Sequence, residues 1–259
     1  MDRDKLHRTL NDVRVPDYRY YQEIGSTNDA AINWISDNAP EYALVLADAQ
    51  TDGRGRNGRR WVTTKGASIA LSIILYPNAD EQLQLGLFSL ASGLAVSRAI
   101  ESQVKSKVET KWPNDVLIDR HKTAGVLAEA VWQDTRLKGL VIGIGVNLLK
   151  EAVPPAEELL FPATCLAVHS HHAPDAITLI AAIISNLKSC RQIMRQKEFI
   201  TQYTQKMAFL NEGIVLRETD TQSVSGILKG IDAEGRLLMQ TDNDPLQAFP
   251  IGDISLRPQ

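Results

Sequence analysis

Residues 111–147 read KWPNDVLIDRHKTAGVLAEAVWQDTRLKGLVIGIGVN, and the way short apolar runs alternate with turn residues in this stretch decides the architecture. Val116-Leu117-Ile118 and residues 123–131 are strand-like and flank Asp119-Arg120-His121-Lys122, which predicts a hairpin with a four-residue connection. Residues 140–146 form a third strand-like run with Gly143 and Gly145 inside it. A glycine within a strand marks a bulge, or a backbone that another group approaches closely.

Upstream, Leu87, Leu90, Ala91, Leu94 and Ala95 recur at helical spacing and predict a helix over 82–104. Residues 18–24, 42–47 and 68–75 read as strands. Gly25 is a breaker, and Ser26-Thr27-Asn28-Asp29 supplies N-cap residues ahead of Ala30, Ala31, Trp34 and Ile35. The Ser-Thr-Asn group therefore belongs at a strand-to-helix junction, with backbone N–H groups pointing outward. The first sixteen residues read as a short polar extension. Downstream, a proline-containing loop covers about 150–174, and Ile177, Ile180, Ala181, Ile184 and Leu187 predict a long helix that continues, with a break, to Met207. Beyond Asn211 about five short β-like runs predict a small separate barrel. The boundaries expected are 1–16 for the extension, 17–210 for a catalytic domain and 211–259 for the barrel.

Composition narrows the function. With 28 Lys+Arg against 31 Asp+Glu the net charge is −3, so a broad polyanion-binding face is not expected. The length supports a full hydrophobic core without disulfides or a structural metal. Cys165 and Cys190 form no metal-ligand pair and at most one bridge, the N-terminus lacks an apolar leader, and the uncharged runs are too short to span a bilayer. A cytoplasmic protein without a membrane partner is the expectation.

Against this neutral background, residues 53–61 place four arginines and three glycines in nine positions, Gly53-Arg54-Gly55-Arg56-Asn57-Gly58-Arg59-Arg60-Trp61. Gly53, Gly55 and Gly58 satisfy G-x-G-x-x-G, but Trp61-Val62-Thr63-Thr64 does not open a helix as a dinucleotide fingerprint requires. A phosphate loop would need lysine and then serine or threonine after Gly58, where Arg59 and Arg60 stand. Physical chemistry remains: glycine lets a backbone approach a ligand, and arginine supplies permanently charged, planar donors for phosphate or carboxylate. Four unpartnered like charges keep such a loop mobile, so the prediction is an anion-closing loop that orders on binding. A solvated loop and a local nucleic-acid contact are the alternatives.

Three further groups stand out. Lys111-Trp112-Pro113-Asn114-Asp115 combines a cation, an aromatic and a turn-former; the proline holds Trp112 extended and so directs Lys111 and Asn114. Lys122 opens the second hairpin strand and reads equally as a solvated turn lysine. Asn147 closes the glycine-punctuated strand, where an amide serves a ligand or caps the strand. His169-Ser170-His171-His172 matches no metal-binding spacing and reads as a solvated loop.

Taken together, the segments resemble the catalytic region of biotin–protein ligases, also called biotin–acetyl-CoA-carboxylase ligases, over nearly the whole chain. The resemblance rests on Ser26-Thr27-Asn28, Gln50 with residues 53–61, Lys111-Trp112-Pro113-Asn114-Asp115, Lys122-Thr123-Ala124-Gly125 and Gly143-Ile144-Gly145-Val146-Asn147, in this order. Asn57 departs from the pattern, in which arginine is common. The short N-terminal segment leaves no DNA-binding domain of the kind bifunctional members carry, so their repressor activity is not carried over.

The resemblance implies an α+β fold: a mixed β-sheet catalytic domain with packed helices, of the class II aminoacyl-tRNA synthetase/biotin synthetase-like type, followed by a small SH3-like β-barrel. It implies that biotin and ATP form biotinyl-5'-AMP, and that biotin then passes to a lysine of the biotin carboxyl carrier protein domain of acetyl-CoA carboxylase. Mg2+ would arrive with ATP, and no metal ligand can be named. By motif position, Ser26, Thr27, Asn28, Gln50, Arg54, Gly55, Arg56 and Lys122 would bind biotin. Arg56, Arg59, Trp61, Lys111, Asn114 and Asn147 would hold ATP. Lys122 and Arg56 would be the catalytic pair. The implied state is monomer or homodimer, with no DNA partner. A lipoate–protein ligase of similar fold is the nearest alternative; a nucleic-acid-binding module and a silent β-barrel adaptor are the others.

Overall fold

The computed structural model describes residues 1–217, 223–242, 245–251 and, for the backbone, 255–258. The separators Thr219-Asp220 and Asn243-Asp244 lie outside the described residues, as does the side chain of Arg257, which the sequence leaves facing either the site or solvent.

The chain opens with α1 (Arg3–Asp12), capped by Asp2, and its Leu6 and Leu10 are buried. The polar reading of the first sixteen residues misses this helix. Only one i,i+4 apolar pair marks it, and that pair is enough because α1 packs on a later helix. Next come β1 (Tyr18–Tyr21), α2 (Thr27–Ser36), β2 (Leu44–Ala47) and β3 (Ser68–Leu75), the last buried at every position. The helix expected over 82–104 is in fact two. α3 (Ala79–Gln82) has its own capping box, Asn78 with Glu81, and α4 (Gly86–Glu101) follows. α4 is apolar on almost every side and is buried accordingly.

β4 (Val108–Lys111), β5 (Asp115–Ile118), β6 (His121–Gln133) and β7 (Arg136–Asn147) complete a seven-stranded sheet of order β1-β2-β3-β7-β6-β5-β4. Only β1 and β2 pair in parallel. The hairpin connection is shorter than expected. Asp119 and Arg120 alone make the turn, with φ of 46° and 67°, and this mirror-type turn matches the strand twist.

α5 (Leu166–His169), α6 (Ala176–Ile193) and α7 (Lys197–Lys206) follow, with the predicted break between the last two. α4 lies against the sheet, α6 against α4, and α1 against α6, while α2 covers part of the opposite face. His169 is not solvated as the cluster suggests: its side chain is 14% exposed and both ring nitrogens have partners. Cys165 and Cys190 are buried and free. Among the described residues no helix is long and apolar enough to cross a membrane.

β8 (Gly213–Arg217), β9 (Ser223–Ile231), β10 (Leu237–Gln240), β11 (Gln247–Phe249) and β12 (Ser255–Pro258) form an antiparallel sheet of order β11-β10-β9-β8-β12, which fits a small SH3-like domain. Its turn reaches back to the larger sheet, where the buried Trp112 indole Nε1 donates to Gly235 O at 3.1 Å. Trp112→Phe removes this donor and strands the carbonyl. Urea unfolding should show a loss of about 1–3 kcal/mol, and an unchanged midpoint would contradict the bracing role.

Candidate active site

Strand parity builds the floor. On β7, Leu140, Ile142, Ile144 and Val146 belong to the main core, so Val141, Gly143 and Gly145 face the α2 side. A Cβ on Gly143 would overlap the Asn28 amide, and one on Gly145 would overlap the Trp61 indole. The strand glycines thus mark close approach, one of the two readings that their position allows. Above them lies a cleft with about 970 Å³ of empty space, open mouth included. Its walls include Ser26, Thr27, Asn28, Gln50, Arg54, Gly55, Arg56, Arg59, Trp61, Lys111, Asn114 and Lys122. All but one of the residues to which the resemblance assigns a binding role therefore converge. Asn147 is not among the lining residues; its amide Nδ2 donates to Thr164 O at 3.1 Å.

One end of the cleft is neutral and polar. Ser26 caps α2, and a bridge between Ile24 and Gln50 brings Gln50 beside it. Gln50 Oε1 accepts from Thr27 N at 2.8 Å and from Thr27 Oγ1 at 3.0 Å. Ser72 Oγ donates to Asn28 Oδ1 at 2.5 Å, and Asn28 Nδ2 donates to Glu129. These groups order one another, so the polar end is preformed.

The arginine loop is a small hairpin, with Trp61 N donating to Gly53 O at 2.8 Å and Gly55 N to Arg59 O at 2.7 Å. Its charges are not all unpartnered, contrary to the sequence expectation. Arg54 forks onto Asp29 at 2.7 and 2.6 Å and reaches Glu129 at 3.4 Å. Those bonds hold Asp29 below the usual carboxylate range. Arg54 thereby ties the loop to α2 and β6, while Arg56 Nη1 donates to Asn114 Oδ1 at 3.4 Å across the cleft.

The other end is cationic around a buried carboxylate. Lys111 closes β4 and Asp115 opens β5, with their head groups 3.2 Å apart. Lys122 Nζ sits 2.6 Å from the other Asp115 oxygen and 5.4 Å from the Trp61 ring centroid. Burial alone would raise the Asp115 carboxyl. The two lysines outweigh it through attraction and hydrogen bonds, and hold the carboxyl far below its ordinary range. A bulge aims Lys122: the register with β5 shifts between Ala124 and Lys122, so Lys122 shares the face of Gly125 rather than that of Ala124.

Asp115 stands in its motif without an assigned role and Asp29 only among the N-cap residues, while Ser72 and Glu129 are not singled out in the sequence. Glu129 carries a readable signal, since Gly125, Leu127 and Glu129 alternate on one face of β6; the others meet only in the fold. Among the described residues no group of three or more His, Cys, Asp or Glu could hold a metal ion.

The sequence matches the Biotin/lipoate A/B protein ligase family over residues 20–147 and the Biotin protein ligase C terminal domain over residues 209–257. It is 34% identical over 244 residues to the bifunctional ligase/repressor BirA of Bacillus spizizenii, covering 92% of this chain and 73% of that one. It is 30% identical over 258 residues to the biotin–[acetyl-CoA-carboxylase] ligase of Mycobacterium tuberculosis, covering 92% of each. The biotin protein ligase of Aquifex aeolicus, solved in complex with biotin and ATP, superposes with a TM-score of 0.81 at 28% identity, covering 94% of this chain and all of the other. Similarity at this level along almost the whole length, joined to the two-ended cleft, places the chain in the biotin/lipoate A/B protein ligase family, in its biotin protein ligase branch.

Proposed function

We propose that the chain is an ATP-dependent biotin–protein ligase that makes biotinyl-5'-AMP and then biotinylates one lysine of a biotin carboxyl carrier protein domain. The observation that carries this is the polarity of the cleft: a neutral hydrogen-bonding end at Ser26, Thr27 and Gln50 and a cationic end at Arg56, Lys111 and Lys122. A ligand with an uncharged polar ring and a carboxylate tail fits that order. In the first step a biotin carboxylate oxygen bonds to the α-phosphorus, and the bond to the β-phosphate breaks to release pyrophosphate. Two anions meet, so the protein supplies positive charge and alignment rather than a nucleophile. Lys122 and Arg56 take the carboxylate and α-phosphate, and Lys111, Asn114 and Arg59 take the rest of the nucleotide, with Trp61 packed beside them. Magnesium comes with the triphosphate. In the second step the carrier's lysine amine attacks the acyl carbon and AMP leaves.

Biotin is favoured over lipoate by the same polar end. A ureido ring offers donors and an acceptor to Ser26, Thr27 and Gln50, whereas a dithiolane would cover the same polar end and offer no hydrogen bond in return. The arginines, moreover, line a cleft rather than a face, which argues against nucleic acid. Incubation with ATP, biotin and a carrier domain should add the mass of one biotinyl group at one lysine; an unmodified carrier would contradict the reading. Because the loop must close over a reactive anhydride, Arg56→Gly should release adenylate and label bystander lysines. Labelling confined to the carrier would count against the closing role.

A further inference from the structure

Lys122 is held from behind by a segment outside the cleft. Its N–H donates to Pro162 O at 2.7 Å, and Thr164 N donates to Lys122 O at 2.9 Å. These bonds form an isolated parallel bridge between Lys122 and Ala163. The same segment receives the Asn147 amide, since Thr164 O is its acceptor. Two ends of the sheet's site face, the start of β6 and the end of β7, thus lean on residues 162–164.

What fixes that segment in turn is His169. Its Nε2 lies 3.0 Å from Thr164 Oγ1, and its Nδ1 lies 3.0 Å from Ser106 Oγ and 3.5 Å from Asp119 Oδ2. Asp119 belongs to the two-residue turn that leads into Lys122, and its other oxygen accepts from Lys107 N at 3.2 Å. The imidazole therefore ties the strap behind Lys122 to the turn in front of it, and to the segment joining α4 to β4. The ring itself is not among the residues lining the cleft.

We propose that His169 is a positioning residue for adenylate formation, acting through Thr164 on the backbone of Lys122 and on Asn147. The inference rests on the ligase reading above. A rigid ring with two opposed nitrogens spans both contacts at once, and no amide side chain reaches both. Glutamine places a polar atom near the Nε2 position and keeps Thr164; asparagine places one near Nδ1 and keeps only Ser106. The two substitutions therefore separate the contact that matters from mere filling of the site.

The test is biotin-dependent pyrophosphate exchange by wild type, His169→Asn, His169→Gln, Thr164→Val and the His169→Asn/Thr164→Val double variant, with biotin affinity measured by calorimetry. A displacement of catalytic groups by about 1 Å can cost up to 10²-fold, so His169→Asn and Thr164→Val should each lower kcat by about tenfold. The double variant should lose no more than either single one. His169→Gln should stay within about threefold of wild type. Biotin affinity should fall by no more than about threefold, less than kcat, because the strap reaches only the Lys122 contact to the carboxylate, while Ser26, Thr27 and Gln50 are held by one another and by α2. Wild-type kcat in His169→Asn, or equal losses in the Asn and Gln variants, would overturn the inference while leaving the ligase reading standing. Biotin affinity falling in step with kcat would mean that His169 merely supports the fold, and would also overturn it. A wild-type protein without exchange would overturn the reading and the inference together.

Discussion

Lys122→Ala should reduce biotin-dependent pyrophosphate exchange by about 10²–10³-fold, the range seen when one preorganised charge-stabilising donor is removed from a reacting centre. The bulge in β6 turns this ammonium onto the site face beside Gly125, and Asp115 holds it there at 2.6 Å. In the proposed reaction it would face two anions, a carboxylate and an α-phosphate, whose mutual repulsion otherwise keeps them apart. The fold should survive, because Asp115 keeps Lys111 as a partner at 3.2 Å and the Lys122 side chain is already 27% exposed. Circular dichroism and urea unfolding would check the fold, and exchange within about threefold of wild type would refute the assignment.

Asp115→Ala should have the largest effect on stability. It leaves Lys111, itself only 4% exposed, and Lys122 as two close cations without their shared carboxylate. Breaking a buried pair from one side costs about 3–5 kcal/mol, since the remaining charge is uncompensated. Exchange should fall as well, because Lys122 loses the group that directs it. The pH dependence has a definite sign. The folded carboxyl is held below its unfolded value, so its stabilisation is complete above the ordinary carboxylate pKa of about 4 and is lost as pH falls below it. Asp29, Glu81 and Asp175 are lowered too and add acid sensitivity of the same sign. Comparing Asp115→Asn with wild type isolates the Asp115 share: the variant should be less stable at neutral pH, and the difference should shrink in acid. A difference that stayed constant from neutral to acid pH would show that Asp115 carries no such charge coupling.

Local pattern was enough wherever a residue's environment is its own neighbours in sequence. The run at β3 falls at Ser68–Leu75 as read, because a continuous apolar stretch admits one buried strand. Ser26 caps α2 because a small polar oxygen before a helical run has few other uses. Gly143 and Gly145 signalled a bulge or a close approach; only the fold shows that it is the second, and that the approaching groups are Asn28 and Trp61. Reading failed where partners come from afar. Arg54 looked like one of four repelling charges because Asp29 and Glu129 reach it only through the fold. Asp115 carried no role in its motif until β4, β5 and β6 set two lysines on it. α1 escaped notice because two leucines in a polar stretch become a buried stripe only when α6 covers them. The His169 cluster likewise looked solvated, since nothing in its neighbours reveals Ser106, Asp119 and Thr164.

On the proposed function, the cleft joins a carboxylate-bearing ligand with a polar ring to ATP. Pyrophosphate exchange measured in parallel with biotin and with lipoate, at equal concentrations and with no carrier present, tests it most directly. Rapid exchange dependent on biotin, with little in the presence of lipoate, is the expected result. Exchange supported equally by lipoate, or absent with biotin, would contradict it.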